Sequence, residues 1–200
     1  NARGLDMWFS RVCGVGWAGV DLFFVLSGFL ITGILIEARG KEGGLKRFFV
    51  RRSLRIFPLY YAVLLGLFVG LPMLGASAWT GLDAVAPHQG WLWTYSGNLA
   101  KFFDPSIVFH AGLIQTKHFW SLAVEEQFYL LWPLCVVSLS NRTLSRVCVG
   151  VACVSLTLRT GLQLWVGDAV YTFTPCRLEG LMVGAYVAVA WRDACGSVHR

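Results

Sequence analysis

The chain has 200 residues, 56% of them hydrophobic and only 14% charged, with a mean hydropathy of +0.60. Those proportions exclude an ordinary soluble domain and imply an integral membrane protein. The net charge of +6 does not argue for a nucleic-acid partner, because the basic residues stand beside apolar runs, as they do in cytoplasmic loops. The six cysteines (13, 135, 148, 153, 176 and 195) form no Cys-x-x-Cys pair, and the four histidines show no metal-binding spacing. Neither a disulfide framework nor a metal site is therefore expected.

Residues 1–16 mix Arg3, Asp6 and Arg11 with Trp8 and Phe9 and read as a loop at an interface. No apolar leader precedes the first span. Residues 17–36 form an apolar run of 20 residues with one charge, Asp21, long enough to cross a bilayer as a helix. Asp21, Gly28 and Thr32 fall on one helical face and Ser27 lies off it. Asp21 either caps the helix start or faces the bundle interior.

Residues 37–55 carry seven basic side chains (Arg39, Lys41, Lys46, Arg47, Arg51, Arg52, Arg55) against two acids, Glu37 and Glu42. Such a loop is expected on the cytoplasmic side. It runs directly into the next span, so Arg51 and Arg55 share a helical face at its edge. They serve either as snorkelling anchors or as guanidinium forks for phosphate. Residues 56–75 make a second apolar run of 20, with Pro58 in its first turn and a small-xxx-small pattern at Gly66 and Gly70. Residues 76–117 are longer and more polar, yet rich in tryptophan and phenylalanine. An external loop, a re-entrant segment and a short span around 90–103 all fit them, and His88 and His110 read as ordinary loop histidines.

The stretch His-Phe-Trp-Ser-Leu-Ala-Val-Glu-Glu-Gln-Phe-Tyr-Leu-Leu-Trp-Pro, from His118 to Pro133, opens the third long apolar helix, over 121–139. Two adjacent carboxylates inside it are expensive in a membrane and imply a function. Ser121, Glu125 and Tyr129 recur every fourth residue and share a face, while Glu126 points about 100° away. Asn141-Arg-Thr143 is a glycosylation sequon on a loop expected to be cytoplasmic, and is discounted. Residues 147–166 contain Arg159, which needs a partner at that depth: Glu125, Asp21 or a bound phosphate. Residues 171–191 form the last span, with Arg177 and Glu179 near its outer end and a second small-xxx-small pattern at Gly180 and Gly184. Alternating loop charge predicts five spans with the N-terminus outside, which calls for a further helix ahead of Asn1.

Three stretches in this order resemble the membrane-bound acyltransferase 3 family: Gly19-Val-Asp-Leu-Phe-Phe-Val-Leu-Ser-Gly-Phe-Leu-Ile31, the Arg-Arg-x-x-Arg-Ile-x-Pro-x-Tyr motif beginning at Arg51, and the block around Glu125. A weaker fourth match runs from Thr174 to Ala185, so the resemblance covers about Gly16 to Trp191. It implies an all-α, polytopic transmembrane bundle, here a single acyltransferase domain over 1–200. The activity implied is transfer of an acyl group, in this family often acetyl, from acyl-CoA to a hydroxyl of a sugar or exported glycan. The enzyme would sit in the bacterial plasma membrane and need no metal. The resemblance implies that Arg51, Arg52 and Arg55 hold the donor phosphates. Glu125, Asp21, Ser121, Tyr129 and Arg159 are expected to organise the catalytic centre.

Similar proteins carry a histidine on a first helix ahead of the Gly-Val-Asp-Leu-Phe-Phe stretch. Residues 1–16 match no such helix, so the chain is expected to lack it. Glu125 would then orient that histidine, as the acid does in a catalytic triad. His118 is a weaker candidate base. A covalent acyl-serine is not expected, because no Gly-x-Ser-x-Gly elbow is present. Intramembrane Asp, Glu and Arg also suit a transporter or ion pathway, and a non-catalytic scaffold descended from the enzyme would fit the missing histidine.

Overall fold

A computed structural model describes residues 16–75 and 80–198; the interface loop expected at the N-terminus lies outside the described residues. Among the described residues five long helices form the architecture: α1 (Gly16–Ala38), α2 (Gly44–Leu65), α6 (Phe119–Ser138), α7 (Asn141–Val166) and α8 (Leu178–Val198). Each overlaps one of the five apolar runs of the sequence, but α2 begins well ahead of the run expected at 56–75, and α8 begins at Leu178, after short 3-10 turns, where a span was expected from 171. Three pass the length and hydropathy required to cross a membrane, over Ala18–Ala38, Gly44–Met73 and Asn141–Val166. Helices α6 and α8 are also 20 and 21 residues long, or about 30 Å at 1.5 Å per residue. Their charged residues lower their hydropathy.

Cross-helix contacts establish an alternating, antiparallel bundle. At one end the Arg39 guanidinium donates to Asn141 Oδ1 at 2.9 Å and to the Val136 carbonyl at 2.6 Å. There too Asn141 Nδ2 donates to Asp193 at 2.7 Å, and Arg192 pairs with Glu37. At the opposite end Asp21 pairs with Arg177, and the Trp120 ring meets that of Tyr171 edge-on at 5.2 Å. Midway, Trp132 Nε1 donates to Thr32 Oγ1 at 2.8 Å between two buried residues, joining α6 to α1.

Helices α1 and α8 approach most closely. A Cβ added at Gly28 would collide with the Leu181 backbone, and one at Gly184 with the backbones of Val25 and Phe29. Without an apolar driving force between membrane helices, such backbone contact supplies dispersion energy that larger residues would forfeit. The Gly180/Gly184 pattern is thus used. Gly66 and Gly70 instead bracket a π-helical stretch, Gly66–Gly70, and no atom lies near enough to Gly66 to be met by a Cβ there.

The basic segment 37–55 is mostly helix. The turn occupies only the residues between Ala38 and Gly44, where Gly40 and Gly43 adopt φ of 75° and 66°, conformations that glycine takes without a Cβ penalty. Arg47, Arg51, Arg52 and Arg55 therefore stand on the first turns of α2, and Pro58 lies inside the helix.

Residues 82–118 contain no span. They fold into short helices, α3 (Leu82–Val85), α4 (Gln89–Trp93) and α5 (Gly97–Phe103), with a two-residue hairpin in which Ala111 pairs with Ile114. This cover has its own core, including Leu82, Val85, Leu92, Phe109 and Ile114, packed on Tyr60 and Leu64 of α2. Tyr60 donates its hydroxyl to the Leu92 carbonyl at 2.7 Å and Tyr61 to that of Trp93 at 3.3 Å. The end of the Arg-Arg-x-x-Arg-Ile-x-Pro-x-Tyr motif thus clamps the cover to the bundle.

Candidate active site

The predicted site residues separate into two polar centres. The first lies at the end of the bundle near the cover. Arg177, 1% exposed, pairs with Asp21 and reaches Glu179 at 3.8 Å. Glu179 also receives Arg159 Nη1 at 2.5 Å and the Ser155 hydroxyl at 2.8 Å. The Arg177 guanidinium is flanked by the rings of Tyr171, Trp120 and Phe24 at 4.6, 5.5 and 5.6 Å, which replace water around a buried cation. The partner of Arg159 is therefore Glu179, and neither Glu125 nor Asp21. The reason is register: Arg159 lies near the last turns of α7, level with the start of α8, whereas Glu125 is deeper in the bundle. Two guanidiniums and two carboxylates neutralise one another here.

The second centre lies at mid-depth between α1, α2 and α6. Glu125 is 3% exposed, with the hydroxyls of Ser27 and Tyr129 beside its carboxyl and Arg52 and Arg55 close enough for their charge to act on it. Arg52 rests 4.6 Å over the Tyr129 ring. A cleft of about 230 Å³ opens beside this group, lined by Arg52, Ser53, Phe57, Tyr95, Glu126 and Tyr129 among others. Among the described residues no carboxylate lies within 4 Å of Arg52 or Arg55. Glu125 Oε1, Glu126 Oε1 and the Tyr95 hydroxyl are buried without a hydrogen-bond partner among the described residues. Native interiors seldom leave such atoms unmatched, and three fall in this one neighbourhood.

Several expected members are elsewhere. Ser121 donates to the His118 carbonyl, three residues back, at 3.3 Å, and Ser27 takes the place beside Glu125 that its spacing suggested. Arg51 lines a different cleft, with Lys41, Arg47 and Glu37, so Arg51 and Arg52, neighbours in sequence, open onto separate clefts.

Sequence reasoning missed Glu126, Tyr95 and Gln127. Gln127 Nε2 donates to the Tyr95 carbonyl at 2.8 Å and to Asn98 Oδ1 at 3.1 Å, and its Oε1 accepts from the Thr174 hydroxyl at 2.5 Å. The Tyr95 phenol is shifted well above its ordinary range, first by burial and then by the Glu126 charge. The signal for Glu126 was present: two adjacent carboxylates in one membrane helix each require a reason.

A profile describing an acyltransferase domain, that of acyltransferase 3, matches residues 3–192. The chain belongs to the acyltransferase 3 family. Among members of known name, O-acetyltransferase OatA of Staphylococcus aureus strain NCTC 8325 / PS 47 is 35% identical over 188 residues, covering 88% of this chain and 30% of that protein. The OatA proteins of strains COL and MRSA252 match to the same extent. This acyltransferase 3 chain thus spans 30% of the length of the curated relatives it matches. No solved structure matches it. Both polar centres and the cover fall inside the region that defines the family.

Proposed function

We propose that the mid-depth centre carries O-acyl transfer, moving an acetyl group from acetyl-CoA to a hydroxyl of a glycan at the plasma membrane, with 37–55 on the cytoplasmic side. The observation that carries this reading is the set of uncommitted groups around one cleft. Arg52 and Arg55 lack ion-pair partners among the described residues, and one buried oxygen of each carboxyl, Oε1 of Glu125 and Oε1 of Glu126, lacks a hydrogen bond there. The names of the relatives, O-acetyltransferases, support the same chemistry.

In this reading Arg52 and Arg55 attract the anionic donor, and guanidinium forks match its phosphates. The acceptor oxygen attacks the thioester carbonyl carbon and its proton passes to Glu126, which lines the cleft. The C–S bond then breaks, and coenzyme A leaves as a thiolate that takes up the proton. Glu125, one position back and enclosed by Ser27 and Tyr129, positions this group without touching the acceptor. General base catalysis of this kind is worth roughly 10² to 10⁴ in rate.

The test is acetyl-CoA-dependent acetylation of a glycan pool by membranes containing the full-length protein, beside Arg55→Ala and Glu125→Gln. Transfer lost in both variants, with the protein still inserted, supports the reading. Transfer retained in both removes the site assignment. Absence of both transfer and acetyl-CoA binding in the unmodified protein favours a transporter or a scaffold.

A further inference from the structure

A second cleft, of about 310 Å³, lies between the cover and the first turns of α6. Its walls include Tyr60, Phe109, Phe119 and Trp120, and its polar groups include Lys101 and His118. Sites of this size, apolar with a few convergent polar groups, suit small ligands. Broad aromatic faces with polar groups at the edge match a pyranose ring, whose C–H face is apolar and whose hydroxyls lie around its rim.

Tyr95 lines both this cleft and the Arg52–Glu126 cleft, and among the described residues no other does. Its ring is stacked on Tyr60, with centroids 4.1 Å apart and planes 20° from parallel. Its backbone is pinned: the N–H donates to the Leu92 carbonyl at 3.1 Å and the carbonyl accepts from Gln127 at 2.8 Å. Its φ of 52° is the one positive value at a non-glycine residue among those described. A bulky aromatic in the left-handed region is strained and persists where its surroundings hold it, which is common at binding and catalytic positions. The strain here holds a buried hydroxyl without a partner, among the described residues, on the side of Glu126.

We propose that the aromatic cleft binds a pyranose ring of the acceptor, and that Tyr95 holds the hydroxyl to be acylated at the junction of the two clefts. The proposal rests on the acyl-transfer reading above and adds where the acceptor sits. The acceptor enters from the end of the bundle closed by the cover, opposite the arginine-bearing turns of α2. Its hydroxyl hydrogen-bonds to the Tyr95 phenol at the one place where both clefts meet, so the attacking oxygen and the thioester approach each other from opposite sides of this ring.

The experiment uses the full-length protein in lipid vesicles with radiolabelled acetyl-CoA. It reads equilibrium donor binding and, separately, the rate of transfer to cellotriose and chitotriose against saccharide concentration. Phe119→Ala is expected to raise the acceptor KM about tenfold, the loss of one aromatic contact. Tyr95→Phe is expected to lower kcat about tenfold, the loss of one hydrogen bond to the reacting group. Donor binding stays within about twofold of the unmodified protein in both cases, because neither residue touches Arg52 or Arg55 in this scheme. Lys101→Gln, at the polar edge, gives the same KM test should Phe119→Ala not fold. Unchanged acceptor KM and kcat in these variants overturns the proposal, as does unmodified protein that binds acetyl-CoA but transfers to neither saccharide. Failure of the unmodified protein to bind acetyl-CoA overturns the acyl-transfer reading instead.

Discussion

Two clusters in this bundle hold the same formal charges and treat them differently. At the end near the cover, Asp21, Arg177, Glu179 and Arg159 are joined in a continuous chain of ion pairs. At mid-depth, Arg52, Arg55, Glu125 and Glu126 lie close together, yet among the described residues none makes an ion pair within 4 Å. Charges that serve the fold are spent on one another. Charges kept apart in a low-dielectric interior raise the energy of the folded state and are retained where a ligand completes them.

The largest expected effect comes from breaking the paired cluster. Arg177→Ala strands Asp21, leaves Glu179 to Arg159 and Ser155 alone, and removes a large buried side chain packed among three aromatic rings, so it should destabilise the fold by about 3 kcal/mol. Heating in detergent should show it as a drop of roughly 10 °C or more in the half-unfolding temperature. In the unpaired cluster the effect moves from stability to rate. Glu126→Gln keeps the shape and removes the base, so transfer should fall about 10²-fold or more with the half-unfolding temperature unchanged.

Between these lies a purely steric test. Gly184→Ala places a methyl group against the backbones of Val25 and Phe29 and should cost about 1–3 kcal/mol through forced separation of α1 and α8. The paired cluster should loosen with it, because Asp21 and Arg177 sit on those two helices. The smallest effects distinguish the arginines of α2. Arg52→Ala should weaken acetyl-CoA binding about tenfold, whereas Arg51→Ala, whose side chain lines a different cleft, should change it less than about twofold. Equilibrium binding of labelled acetyl-CoA to vesicles checks both.

Much of the helical frame was legible in the sequence. Runs of 20 apolar residues announce spans, and the glycine pair of α8 does meet a neighbouring backbone. The start of α2 was not legible, since arginine and lysine are good helix formers and a basic segment reads equally as loop or helix. The fold of 82–118 was also hidden, because its helices are short and their apolar residues are buried by contacts distant in sequence.

The site was legible in part. Glu125 and Tyr129 do stand together, as their spacing suggested, and Arg52 joins them from α2. The partner of Arg159 was not readable: Glu125, Asp21 and a bound phosphate were the candidates, and only helix register selects Glu179. Ser27 was set aside because periodicity describes one face of α1, whereas three helices surround that one. Tyr95 carried no sequence signal at all. A tyrosine in the left-handed region is legible only from backbone geometry.

The most direct test is to measure half-unfolding temperature and acetyl-CoA-dependent transfer on the same purified samples of full-length protein, comparing Glu126→Gln with Arg177→Ala. The account predicts that Glu126→Gln melts with the unmodified protein while losing transfer, and that Arg177→Ala loses stability first. A Glu126→Gln protein that melts as early as Arg177→Ala, or that still transfers acetyl groups at the unmodified rate, would contradict it.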